Sequence, residues 1–176
     1  MRATVSLALL LALAALTPLA AQTGVLYGSE VALDHLGAID RTTGAWTLVG
    51  SQVISGSITG LAYDANADVL YGCSPNNNSL YVLDHNTGVA TLIGPTGFSN
   101  INGLAYDTNT STLYCTDLNG NNLFTIDVNT GMGTLVAQIS GATAVEGLGY
   151  DAANDILYGL DDNADRIVTI DKNTAA

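Results

Sequence analysis

The sequence predicts an all-β protein, an open arc of about 3.5 four-stranded antiparallel units that falls short of a closed ring. Three observations predict it. Equivalent tyrosines at Tyr27, Tyr71, Tyr114 and Tyr158 lie 44, 43 and 44 residues apart, which sets an internal period of 43–44. Within each period, short runs that alternate apolar and polar residues are separated by turn residues, the period of two that a strand requires. The acidic residues are 14 Asp but only 2 Glu, accompanied by many Asn, Gly and Thr, a composition of turns and strands and not of helices.

Residues 1–21 come first. Arg2 precedes an apolar run from Val5 to Leu16, Pro18 breaks it, and Ala20 and Ala21 follow. That order predicts a signal peptide cleaved near Ala21–Gln22, and so a secreted or periplasmic protein. The apolar run is shorter than the ~20 residues a membrane span needs. Residues 22–176 then form one partial domain, with units at about 24–50, 58–94, 101–137 and 145–176.

The second unit shows the plan best. TGLAYD, VLYGC, SLYVLD and VATLIG are its strands a, b, c and d. In strand a, Leu61 and Tyr63 share one face while Ala62 and Asp64 share the other. Asp84-His85-Asn86-Thr87-Gly88 turns c into d, with Gly free to take positive φ. ITGLAYD recurs as INGLAYD and VEGLGYD, and SLYVLDHNTG recurs as NLFTIDVNTG and RIVTIDKNTA. The first unit, with LYG at Leu26 and LGAIDRTTG from Leu36, supplies only b, c and d; the last supplies only a, b and c. Four antiparallel strands in forty-odd residues is the plan of a β-propeller blade. The inventory bcd, abcd, abcd, abc predicts a fragment of a larger ring, with open blade edges through which the chain self-associates.

The strings GLAYD, LYG, LYVLD, NTG and ATLIG resemble the blades of YVTN and NHL-type bacterial propellers and of related secreted domains of unknown function. The resemblance covers the chain from Gly24 to Ala176. It implies a bacterial secreted propeller and no particular activity, because those families include both enzymes and binders.

Net charge of −12, from 16 acidic and 4 basic groups, excludes a phosphate-binding surface and therefore a nucleic-acid partner. Asp64, Asn66 and Asp68 have the alternating oxygens that open calcium loops, which makes calcium the one cofactor to consider. No copy adds the Gly and distal Glu of the full loop, so the preferred reading is an ordinary turn with no tight calcium or zinc. The b–c loops carry Asp117, Asp161, Asp162 and Asp165 on the face where propeller ligands usually sit. They are the candidate ligand-binding residues, a cluster suited to a cation or a hydroxyl-rich sugar, against the reading of a solvated acidic rim; the partner to consider is a protein or a carbohydrate. Cys73 and Cys115 lie at different offsets in neighbouring b strands and so face each other across one interface; buried free thiols are preferred, with a disulfide as the alternative. His35 and His85 read as solvent-exposed turn residues. The seven periodic tyrosines read as packing between blades.

No local motif pairs a nucleophile with a base, so no catalytic residue is assigned. The function expected is that of an exported, non-catalytic propeller used for binding or as a cell-surface scaffold. The alternative is a propeller hydrolase, lyase or lactonase with a loop-carboxylate metal site near the channel, where only Glu146 adds a charge. A third reading is a fragment without activity of its own.

Overall fold

The computed structural model describes residues 25–54 and 56–176; the expected signal peptide, residues 1–21, and its cleavage point near Ala21–Gln22 lie outside the described residues. Strands β1 (Leu26–Glu30), β2 (His35–Ile39) and β3 (Trp46–Ser51) make a first antiparallel sheet. Strands β4 (Gly60–Asp64), β5 (Val69–Ser74), β6 (Ser79–Leu83) and β7 (Ala90–Pro95) make a second. The third holds β8 (Ile101–Asp107), β9 (Thr112–Asp117), β10 (Asn122–Ile126) and β11 (Gly133–Gln138). The fourth holds β12 (Val145–Asp151), β13 (Ile156–Asp161) and β14 (Arg166–Ile170). Each sheet is an up-and-down meander; among the described residues the first holds strands b, c and d and the fourth strands a, b and c. Helix is confined, among the described residues, to one 3-10 turn at Asp162–Ala164.

The sheets pack face to face through three separate cores, because the alternation of each strand sends neighbouring residues to opposite sheets. Leu70 joins Leu36, Ile58 and Leu83 between the first and second sheets. Tyr71 and Cys73, one and three residues on, join Leu113, Cys115 and Phe124 between the second and third. Tyr114 and Leu123 join Val145, Leu157 and Ile170 between the third and fourth. Each fully buried Leu or Ile contributes roughly 1.5–3 kcal/mol by leaving water. Phe98, from the d–a connection, stacks on Phe124 with ring centres 4.1 Å apart.

The c–d hairpins carry the same β-bulge in the first three sheets, between Leu36 and Gly37, Leu80 and Tyr81, and Leu123 and Phe124. The turn glycines Gly88 and Gly131 have φ of +80° and +81° and lie against Gly50 and Gly94 of the preceding sheet. A Cβ on Gly94 would come within 2.2 Å of the Thr130 carbonyl oxygen. Two backbones thus touch where one sheet meets the turn of the next, and only glycine fits there.

Candidate functional site

The two rims of the arc use their polar residues differently. On the rim formed by the b–c and d–a loops, each b–c loop ends on a residue with positive φ: Asp34, Asn78, Asn121 and Asp165. The Asn side chains there tie the loop to the d–a connection. Asn78 Oδ1 accepts the Asn100 N–H at 2.7 Å, and Asn121 Oδ1 accepts the Val145 N–H at 3.0 Å. Asn121 Nδ2 donates in turn to the Ala142 carbonyl at 2.8 Å.

Two of the four candidate ligand residues are part of the same scaffold. Asp117 is buried, and its carboxylate accepts the Gly120 N–H at 2.7 Å and the Asn122 amide at 3.0 Å. Asp161 is fully buried, accepting the Thr143 and Ala144 N–H groups at 3.2 Å each and Arg166 Nη2 at 3.1 Å. Arg166 also donates to the Gly141 carbonyl, clamping the d–a loop. Burial pushes the Asp161 carboxyl up, and the two backbone N–H groups with Arg166 hold it below its ordinary value. These two carboxylates therefore accept hydrogen bonds from their own loops. Asp162 and Asp165 remain exposed on the rim, beside the exposed Asn163.

The proposed calcium set does not converge. Asp64 is buried and caps its own turn, accepting the Asn66 N–H at 2.9 Å and the Ala67 N–H at 3.2 Å. Asn66 Nδ2 points to the Thr108 carbonyl of the next sheet. Asp68 accepts the Tyr63 hydroxyl at 2.5 Å and pairs with His85 Nε2 at 3.1 Å. Among the described residues no three His, Cys, Asp or Glu side chains gather as a metal site would need. Glu146 is half-buried at the bulge between Val145 and Gly147.

Both histidines depart from the solvent-exposed turn positions expected of them. His85 is only 22% exposed at its side chain, because it reaches from the c–d turn to Asp68 and, through Nδ1 at 3.4 Å, to Tyr27 of the first sheet. His35 Nδ1 pairs with Glu30 Oε2 at 3.3 Å. Lys172 occupies the equivalent turn position of the last unit and does the same work. It donates to the buried Asp107 at 2.6 Å and to Asp155, and lies 4.9 Å from the centre of the Tyr150 ring. Sequence reasoning missed these two bridges. The signal was present: the residue after the turn aspartate, Arg41, His85, Val128 or Lys172, changes chemistry from unit to unit.

Cys73 and Cys115 are free thiols, both fully buried in one core. Cys73 donates to the Asn102 carbonyl at 3.1 Å. Burial, with the Cys73 thiol beside it, raises the Cys115 thiol well above its ordinary value.

No protein-family model matches the chain, and no curated protein matches it in sequence. Solved structures match it in fold. A chain of a nidogen–laminin complex is 21% identical with a TM-score of 0.68, over 86% of this chain and 58% of that one. A catalytically inactive virginiamycin B lyase from Staphylococcus aureus, with quinupristin, is 16% identical with a TM-score of 0.61, over 87% and 50%. A protein of unknown function from Bacteroides thetaiotaomicron is 20% identical with a TM-score of 0.63, over 86% and 46%. These likenesses show a β-propeller arc of blades, the architecture that the GLAYD, LYG and NTG strings led us to expect. The chain spans about half the length of the solved structures it matches.

Proposed function

We propose that the protein is an exported, non-catalytic propeller-type binding module that engages a protein partner through the rim of its b–c and d–a loops. The observation that carries this reading is the division of labour among the rim side chains. Asn78, Asp117, Asn121 and Asp161 lock the loops by hydrogen bonds, while Asp162, Asn163 and Asp165 stand exposed on that locked frame. Exposed polar groups on a pre-ordered loop bind without a large ordering cost. The net charge of −12 favours a basic partner surface and speeds the encounter. The nidogen–laminin match adds a precedent for the fold in a protein–protein complex. The lyase match lends the enzymatic reading only a likeness of fold, since Asp64, Asn66 and Asp68 are engaged in separate contacts.

The test is paired affinity capture from the extracellular fraction, with the protein and its D162N/D165N variant as baits. A partner held by the first and lost by the second supports the reading. Equal recovery on both baits, or recovery of polysaccharide alone, overturns it.

A further inference from the structure

We propose that Cys73 and Cys115 are a dithiol–disulfide pair, whose oxidation by a small-molecule disulfide ties the second sheet to the third. Comparison among the repeats isolates the pair. Cys73 stands two residues after Tyr71, and Cys115 one residue after Tyr114. The matching positions are Ser29 and Gly72 where the first sheet meets the second, and Thr116 and Gly159 where the third meets the fourth. A Cβ on Gly72 would lie 2.5 Å from Leu83, and one on Gly159 would lie 2.8 Å from Val145, so neither place admits a side chain. The chain's two cysteines thus occupy both halves of one junction and of no other.

Sheets packed face to face stand about 10 Å apart, too far for most disulfides. At this junction they come closer. Cys73 in β5 pairs with Gly60 in β4. A Cβ on Gly60 would fall 2.1 Å from the Asn102 carbonyl oxygen of β8, so the two sheets touch there backbone to backbone. Strand β8 is bulged at the same point, between Ile101 and Leu104, and Leu104 pairs with Cys115. The Cys73 thiol crosses the junction and donates to the Asn102 carbonyl at 3.1 Å. The Cys115 thiol meets both the Asn102 backbone and the Cys73 thiol. Both are fully buried in one core with Tyr71, Leu104 and Phe124.

The exchange balances with a disulfide such as that of glutathione as the oxidant. One cysteine thiolate attacks a sulfur of the reagent and expels one glutathione thiolate, leaving a mixed disulfide. The other cysteine thiolate attacks the protein sulfur of that intermediate and expels the second. Two protein thiols become one disulfide, the reagent is reduced to two thiols, and the two cysteine protons end on them. Burial shields both cysteines and disfavours the thiolate, so exchange runs while the junction is open and stops once the sheets dock.

The test is the redox equilibrium of the purified protein in glutathione buffers, approached by refolding from the reduced and the oxidised side and read by intact mass. Because the chain has two cysteines, a monomer that loses two hydrogens holds the Cys73–Cys115 bond. The constant for closing it should be about a hundredfold larger in native buffer than in concentrated urea. The oxidised protein should melt roughly 5–10 °C above the reduced one, and dithiothreitol added during refolding should abolish the gain. The C73S variant should melt alike in oxidising and reducing buffer. Equal constants in buffer and urea, glutathione retained on both cysteines, a disulfide between two chains, or a bond that lowers the melting point would each overturn the proposal.

Discussion

Asp107 keeps a charge where there is almost no water, and Lys172 is what makes that stable. Burial pushes the carboxyl up, but hydrogen bonds from Lys172, Thr110 and Tyr150 bring it down to about 2. A carboxylate depressed from its ordinary value near 4 stabilises the fold fully above that value, and the contribution is lost as pH falls toward 2. The K172M variant leaves Asp107 ionised and unpaired in the interface, which should cost about 3 kcal/mol at pH 7. At pH 2 the cost should shrink, because Asp107 then approaches neutrality. Denaturant melts of both proteins at the two pH values check this; a loss equal at both would contradict the role given to Lys172. The same residue scale governs the thiols. With Cys73 and Cys115 fully buried, a thiol reagent should find neither in native buffer and both after unfolding. Rapid reaction of either in the native protein would mean that this interface opens readily.

At the scale of the element, the contact between a d strand and the following c–d turn sets how closely successive sheets can approach. Gly94 in β7 meets the Thr130-Gly131 turn backbone to backbone. The G94A variant must drive these apart and should lose about 2–3 kcal/mol, seen as a lower midpoint in thermal or urea melts. Gly97, with φ of +81° and open space around it, gives the control. There Ala costs only the backbone preference, about 1 kcal/mol. Similar losses at both sites would show that the close approach to the turn contributes nothing beyond conformational preference. The third unit carries Ala137 where the second has Gly94, so the junction with the fourth sheet solves the same contact differently.

Across the whole molecule, the outer faces of the first and last sheets are unlike all inner ones. Ile167 is 72% exposed, while Leu80 and Leu123, at the same place in the second and third units, are fully buried. Leu160, beside it, is exposed as well. The first sheet partly covers its own outer face: Trp46 lies over Gly28 and Gly37, where a Cβ on Gly37 would be 2.1 Å from the ring. Apolar faces of this kind draw partners. Light scattering should therefore show mass rising with concentration, and L160D/I167D should reduce that rise, since Gly147 and Gly149 leave the last face least protected. A parent protein that stays monomeric throughout would rule out association through these faces.

The sequence by itself determined the repeat, the strands in each unit and the faces they turn to one another. These follow from local alternation, which is why Cys73 and Cys115 were legible as facing residues from their offsets alone. It also marked the turns, because Gly88 and Gly131 recur where positive φ is required. Only the tertiary structure decided which aspartates remain free. Asp161 and Asp162 are adjacent in sequence, yet one is sealed by N–H groups from Thr143 and Ala144 and by Arg166 while the other is exposed. Which donors reach a carboxylate depends on where a connection far along the chain returns, and no local pattern encodes that. The same holds for His85 and Lys172: a turn position became a bridge between sheets because the neighbouring sheet brought Tyr27 or Asp107 within reach.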